Sequence, residues 1–250
     1  MIARRNGYEQ KLLKSSGAIS AAALKKAILS IKPGVSELEL DKIAREEIYR
    51  LGGDLSYKTV PDYNYATCIT VNDQVVHGIP TNRKIKMGDL VSIDLASTYK
   101  GWHTDTAWTI LVGKDLQKEK FIRAGEEALW QGVSQAVAGN RVGDISHAIQ
   151  SKIESEGYSV VRSLVGHGVG KRLHEEPEIP GFGQKGTGPL LYFGMSLAIE
   201  VIYTEGKPDV ILEKDGWTVS SADGSLGGLF EMTVIVGKGK PQILTDWRKI

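Results

Sequence analysis

The chain carries one phrase twice: Gly88-Asp-Leu-Val-Ser-Ile-Asp94 and Gly194-Met-Ser-Leu-Ala-Ile-Glu200. Each opens on glycine, runs through an apolar, strand-forming stretch and closes on Ile followed by a carboxylate. A second carboxylate follows each, leading a strand-like run that ends in Val-Gly: Asp105 runs to Gly113, and Glu231 runs to Gly237. The segments upstream repeat as well. Ser36 and Glu39 are spaced as a capping box before a helical pattern containing Leu38, Ile43 and Ile48. Ile145, Ile149 and Ile153 mark a second helix, with Asp144 read as its N-cap and Gly157 as its C′ residue. Another helical segment precedes each of these, over about residues 8–31 and 116–138. A helix–helix–strand unit cannot bury its sheet face alone. The sequence therefore predicts two α/β halves, 1–113 and 114–250, joined in one sheet backed by helices. No Pro/Ser-rich linker divides them, so residues 1–250 read as a single domain.

Such an arrangement brings a carboxylate pair from each half to a shared centre. Asp94, Asp105, His167, Glu200 and Glu231 all lie in stretches that read as strands, and those strands contain no Lys or Arg. An unpaired buried charge costs several kcal/mol. Four gathered carboxylates need cations, and two divalent ions balance about four negative charges. Oxygen ligands with one imidazole suit Mn, Fe, Co or Zn. The reading is a two-metal hydrolase.

The residues also admit plainer readings. Asp94 and Asp105 flank the turn-like Tyr99–His103, where one carboxylate could cap the turn and the other face water. Glu200 and Glu231 are harder to place at a surface, because their neighbours are apolar. His167 sits in Gly166-His-Gly-Val-Gly170, whose glycines permit close backbone approach. His77 and His174 also lie beside Gly- or Glu-containing turns, which favours chemistry over packing. His147 reads as an ordinary helix residue, and His103 is left open between a supporting role and turn formation. The string GHGVGK lacks the spacing and following helix of a phosphate loop. Cys68 reads as a small buried apolar residue.

Composition excludes other classes. Hydrophobic content of 41%, charged content of 24% and a net charge of +1 describe an ordinary globular protein. They give no case for nucleic acid or an anionic membrane as principal partner. One cysteine rules out an internal disulfide framework and fits a reducing, cytoplasmic compartment. No signal peptide and no membrane-spanning run are expected.

The motifs CITVNDQVVHGIP (68–80), the Asp94/Asp105 pair, GHGVGKRLHEEP (166–177), GMSLAIE, KDGWTV (214–219) and FEMTVIV together resemble the type I methionine aminopeptidases. The resemblance covers about residues 10 to 245, in order. It implies the pita-bread fold, with two pseudo-symmetric halves forming one curved, mainly antiparallel sheet. It also implies removal of the initiator methionine from nascent polypeptides near the ribosome when the second residue is small, by a monomer. Carried over by position, Asp94, Asp105, His167, Glu200 and Glu231 are the implied ligands of a dinuclear centre, with Asp105 and Glu231 bridging. The implied attack is by a metal hydroxide on the first peptide carbonyl, with Glu200 relaying the proton. His77 and His174 match the non-ligand histidines, and Tyr63, Cys68 and Trp217 match the methionine side-chain pocket. Four positions depart from the family pattern: Val201, Leu229, Met232 and Leu173. These lead to an expectation of altered tuning and a roomier pocket. Two rival readings are an Xaa-Pro aminopeptidase on the same fold and a non-catalytic peptide- or ribosome-binding paralogue.

Overall fold

The computed structural model describes residues 2–250. Helix α1 (Gly7–Leu29) and helix α2 (Glu37–Arg50) open the first half, and α3 (Leu116–Ser134) and α4 (Val142–Ser155) open the second. Strands β1 (Asp54–Leu55), β2 (Thr67–Val71), β3 (Gln74–Val76), β4 (Leu90–Tyr99) and β5 (Trp102–Leu111) complete the first half. The second continues with β6 (Ser159–Val160), β7 (Val165–Gly168), β8 (Glu175–Pro180), β9 (Ser196–Thr204), β10 (Val210–Leu212), β11 (Val219–Ser221), β12 (Gly227–Ile235) and β13 (Gln242–Ile243).

One sheet runs through both halves in the order β1-β4-β5-β12-β9-β7-β8, with all its pairs antiparallel. The predicted repeat is visible as β4–β5 beside β12–β9, meeting at the β5–β12 seam. That seam is only partly a regular ladder. Thr233 Oγ1 accepts from the Asp105 N–H at 2.9 Å and donates to the Asp105 carbonyl at 2.8 Å. Thr109 Oγ1 makes the equivalent pair of bonds with Leu229, at 2.9 and 2.8 Å. Threonine hydroxyls thus stand in for backbone partners of Asp105 and Leu229 where the two halves join. The helices lie on one face, α1 on β4 and β5, α3 on β9 and β12. The main core sits between, with Ile93, Leu95, Trp108, Ile199, Phe230 and Met232 inside. A small three-stranded sheet, β10-β11-β3, lies beside the large one.

The local signals were mostly those the chain announces. Ser36 caps α2 and forms the predicted box with Glu39. Gly157 follows α4 at φ 85°, a conformation that costs glycine little. The β4–β5 turn closes on Lys100 and Gly101, both at positive φ, as a two-residue hairpin requires. Three details differ. Asp144 is the third residue of α4, not its N-cap; Arg141 holds that place, and its N–H donates to the Asp144 carboxylate at 2.7 Å. The buried stripe of α2 is Leu40, Ala44 and Ile48 at four-residue spacing, while Leu38 and Ile43 are half-buried. Asp105 and Glu231 sit inside their strands and do not lead them, because pairing extends to Tyr99↔Trp102 and to Gly227↔Thr204.

Candidate metal centre

Sheet register builds the site. Paired residues of antiparallel strands point to one face, so Cys68, Asp94, Ala107, Glu231 and Glu200 form one row across β2, β4, β5, β12 and β9. Two residues along, Asp105 pairs with Ala96, and His167 on β7 pairs with Ala198 on β9. Alanines at 96, 107 and 198 leave room in the middle of this face for the longer acidic side chains. The opposite face of the same strands is the helix-packed core. Period-2 alternation therefore sends each carboxylate away from the helices into a cavity of about 320 Å³.

Every site residue predicted from sequence lines that cavity: Asp94, Asp105, His167, Glu200 and Glu231, then His77, His174, Tyr63, Cys68 and Trp217. Of the acidic groups, Asp94, Asp105 and Glu231 are buried and Glu200 is half-buried. His167 Nε2 lies 3.9 Å from Asp105 Oδ2 and 4.0 Å from Glu231 Oε1. Those distances are too long for hydrogen bonds yet suited to a cation between the three. His167 Nδ1 is 2.9 Å from the Gly168 carbonyl, which assigns the proton to Nδ1 and leaves a lone pair on Nε2. Gly166 and Gly168 are needed here: a Cβ would come within 2.7 Å of the Ala198 carbonyl oxygen and 2.2 Å of that of Glu176.

His174 stacks edge-on against His167 with centroids 4.5 Å apart. The loop carrying it is pinned by buried Arg5, whose Nε donates to Ser196 Oγ at 3.0 Å and whose guanidinium pairs with Glu175. His77 is held at φ 58°, an uncommon value for a non-glycine residue that concentrates at functional sites. Burial, with His174 nearby, keeps the His77 imidazole below its ordinary pKa, and burial does the same for His174. Both are neutral at pH 7. On the apolar side, Tyr63 stands edge-on to Trp217 at 5.1 Å with its hydroxyl oxygen 3.2 Å from Cys68 Sγ, and Leu173 completes the wall.

Two of the four departures from the family pattern are remote from this space. Val201 and Met232 are fully buried in the helix-side core, on the face away from the carboxylates. Leu229 packs with Val75, Val76 and Ile202 at the cavity edge, and Leu173 alone lines it. His147 is a helix residue that faces Ser151, as its spacing indicates. His103 resolves to a buried residue bonded to Ser56 Oγ at 2.6 Å. Sequence reasoning missed Tyr57, whose hydroxyl donates to Asp94 Oδ1 at 2.8 Å. It also missed Val60, Val76, Ser163, Leu164, Val165 and Ile202. Tyr57, Val60, Ser163 and Leu164 arrive from turns and loops and Val76 from β3, so no spacing marks them. Val165 on β7 and Ile202 on β9 instead lie two residues from His167 and Glu200, where strand alternation is the signal that could have found them.

The residues fit divalent cations. No Lys or Arg lines the cavity among the described residues. Burial and mutual repulsion hold Asp105, Glu200 and Glu231 well above the ordinary carboxylate pKa, and burial lifts Asp94 to about 6. Without a cation these groups keep protons that an unfolded chain would release. Stability of the metal-free protein is then full below the unfolded carboxylate value near 4 and falls as pH rises. His167, lowered to about 4 mainly by burial, acts oppositely and subtracts stability below its unfolded value near 6.5. Above about pH 7 it is neutral in both states, and the carboxyls still change, joined by the Cys68 thiol, which burial also holds well above its ordinary value. Chelated protein is expected to lose roughly 5 °C of melting temperature between about pH 7 and 9, while Mn-saturated protein holds steady. Parallel melting curves across that range would remove the argument.

The chain belongs to metallopeptidase family M24, whose family model matches residues 11–238. Membership implies use of divalent metal. Within that family the similarity is to methionine aminopeptidases. The one from Clostridium perfringens is 42% identical over 98% of this chain and 99% of its own. The crystal structure of methionine aminopeptidase from Thermotoga maritima superposes with a TM-score of 0.96 at 39% identity, covering 98% of this chain and 99% of that one. An Xaa-Pro dipeptidase from Bacillus anthracis has a TM-score of 0.76 at 25% identity, covering 97% of this chain but 61% of that one. The pita-bread architecture expected from the resemblance is therefore the observed one. Among the described residues no helix is long and apolar enough to cross a membrane.

Proposed function

We propose that this protein removes the N-terminal methionine from polypeptides whose second residue is small. The carrying observation is the abutment, in one cavity, of a carboxylate cluster and an apolar, sulfur- and aromatic-lined wall. A thioether side chain suits such a wall. Asp94, Asp105, His167, Glu200 and Glu231 would hold two divalent ions (Mn, Co, Fe or Zn), with Asp105 and Glu231 shared between them. When bound, such ions supply positive charge that polarises a carbonyl and lowers the pKa of a water.

The protein's own groups then carry distinct tasks. Glu200, the half-buried acidic member of the cluster, takes the proton of the attacking water as a carboxylate. His174 hydrogen-bonds the oxygen that gains charge at the first peptide carbonyl. His77, neutral beside it, contacts the scissile nitrogen and aids departure of the amine. Tyr63, Cys68 and Trp217 hold the methionine side chain. The whole chain, 1–250, acts as one catalytic unit, working as a cytoplasmic monomer on nascent N-termini near the ribosome.

Anchoring the first carbonyl in this enclosed space brings the second side chain against protein walls. Ala, Gly or Ser should be accepted there, whereas Lys or Leu meets overlap costing roughly 1–3 kcal/mol, a loss of about 10- to 200-fold in kcat/KM. Leu173 in the wall is expected to loosen discrimination of methionine from norleucine or leucine at the first position. Rates on Met-Ala-, Leu-Ala-, Met-Leu- and Ala-Pro-peptides check these points. Equal rates on Met-Ala and Met-Leu would defeat the steric argument, and preference for Ala-Pro would move the protein to the Xaa-Pro reading. Absence of turnover on all four by metal-loaded protein would favour a binding role.

A further inference from the structure

Tyr57 lies on a short 3-10 turn, Ser56–Thr59, and is buried at the cavity edge. The turn is fixed from both sides: His103 Nδ1 is 2.6 Å from Ser56 Oγ, and Thr59 Oγ1 donates to the Ser56 carbonyl at 2.8 Å. His103 belongs to β5, two residues before Asp105, so the turn is tied to the strand that carries the site. From there the Tyr57 ring stands edge-on to Tyr63 at 5.5 Å, in the apolar cluster with Cys68, Ala96 and Leu173. Phenylalanine would pack there as well as tyrosine does. The hydroxyl is the difference, and burying one without a partner is costly. Its partner is not a backbone group but Asp94 Oδ1, at 2.8 Å. By contrast, the Tyr63 hydroxyl donates to the Thr67 carbonyl at 2.8 Å. A carboxylate on a strand can turn about its last torsion, and a fixed donor on one oxygen selects one orientation of the pair.

We propose that Tyr57 is a positioning residue for the metal centre, its hydroxyl setting the orientation of Asp94 while its ring closes the apolar pocket alongside. This rests on the metal reading given under Proposed function. It adds a residue outside the expected ligand set and links the side-chain pocket to the centre through one aromatic group. The substitution Tyr57→Phe separates the two roles, because it keeps the ring and removes the donor.

The test is calorimetric titration of metal-free wild-type and Y57F proteins with Co2+, with the absorption spectrum of the cobalt-loaded forms alongside. Y57F is expected to raise the Kd of the site containing Asp94 by about 10- to 100-fold and to alter the cobalt spectrum. Its preference for Met-Ala over Leu-Ala peptides should be unchanged. In a double-mutant cycle with Asp94→Ala, the effect of Y57F on Kd should vanish. A Kd within about threefold of wild type together with a superimposable spectrum would overturn the proposal, being far below the effect expected of such a partner. So would a full Y57F effect persisting in the D94A background, since Tyr57 would then act elsewhere. Wild-type protein that takes up no Co2+ would instead defeat the metal reading itself, and this inference with it.

Discussion

Asp105→Asn and Glu231→Gln are each expected to cost on the order of 10³-fold or more in kcat/KM and to abolish binding of the second metal ion. Both side chains sit at the middle of the sheet, on β5 and β12, where the two halves meet. His167 Nε2 approaches both within 4.0 Å, which is why these two carboxylates are the ones proposed to be shared between cations. An amide keeps the shape and the burial while removing one negative charge. In the proposed two-ion centre, the ions would then lose a carboxylate shared between them. Several kcal/mol of transition-state charge stabilisation goes with them, and each 1.4 kcal/mol is tenfold in rate. Calorimetric stoichiometry checks the point, and a retained two-ion stoichiometry in both variants would contradict the sharing assignment. The amides should also be tolerated by the metal-free fold, because the wild-type carboxyls there already favour the protonated, uncharged state.

His77→Ala and His174→Ala form the second large effect. Each variant should keep its metal and its fold while losing about 10²-fold in kcat, as expected for groups that act on transition-state charge or proton transfer. The structure gives the reason for separating them from the ligands. His167 is the imidazole whose free nitrogen faces the carboxylates, whereas His174 stands beside it at 4.5 Å and His77 comes from the edge of β3. Both are pushed toward the neutral form, so the pH profile of the wild-type enzyme should show no requirement for a protonated histidine above pH 7. Full turnover by either variant would assign that histidine to packing instead.

Much of this was legible in the chain. The repeated phrase ending in Asp94 and Glu200 located both halves, because a carboxylate among β-branched residues conflicts with burial unless something compensates it. Register then does what sequence cannot: Glu231 opposite Glu200, and Asp94 opposite Ala107, follow from pairing across strands far apart in sequence. The alanines that make room, at 96, 107 and 198, look unremarkable in a sequence and acquire meaning only in their rows. Asp144 was misplaced because Asp favours both the N-cap and the third helical position, and only the chain path separates them. Tyr57 carried no signal, since its partner Asp94 is brought to it by tertiary folding. The departures at Val201 and Met232 looked consequential beside the ligands, yet strand alternation turns both away from the cavity.

The most direct measurement is mass spectrometry of a Met-Ala-Ser peptide incubated with three preparations: metal-loaded, chelated, and chelated then resupplied with divalent metal. The account predicts loss of one methionine residue in the first and third and an intact peptide in the second. Cleavage that continues undiminished in the chelated sample, or an intact peptide in all three, would contradict it.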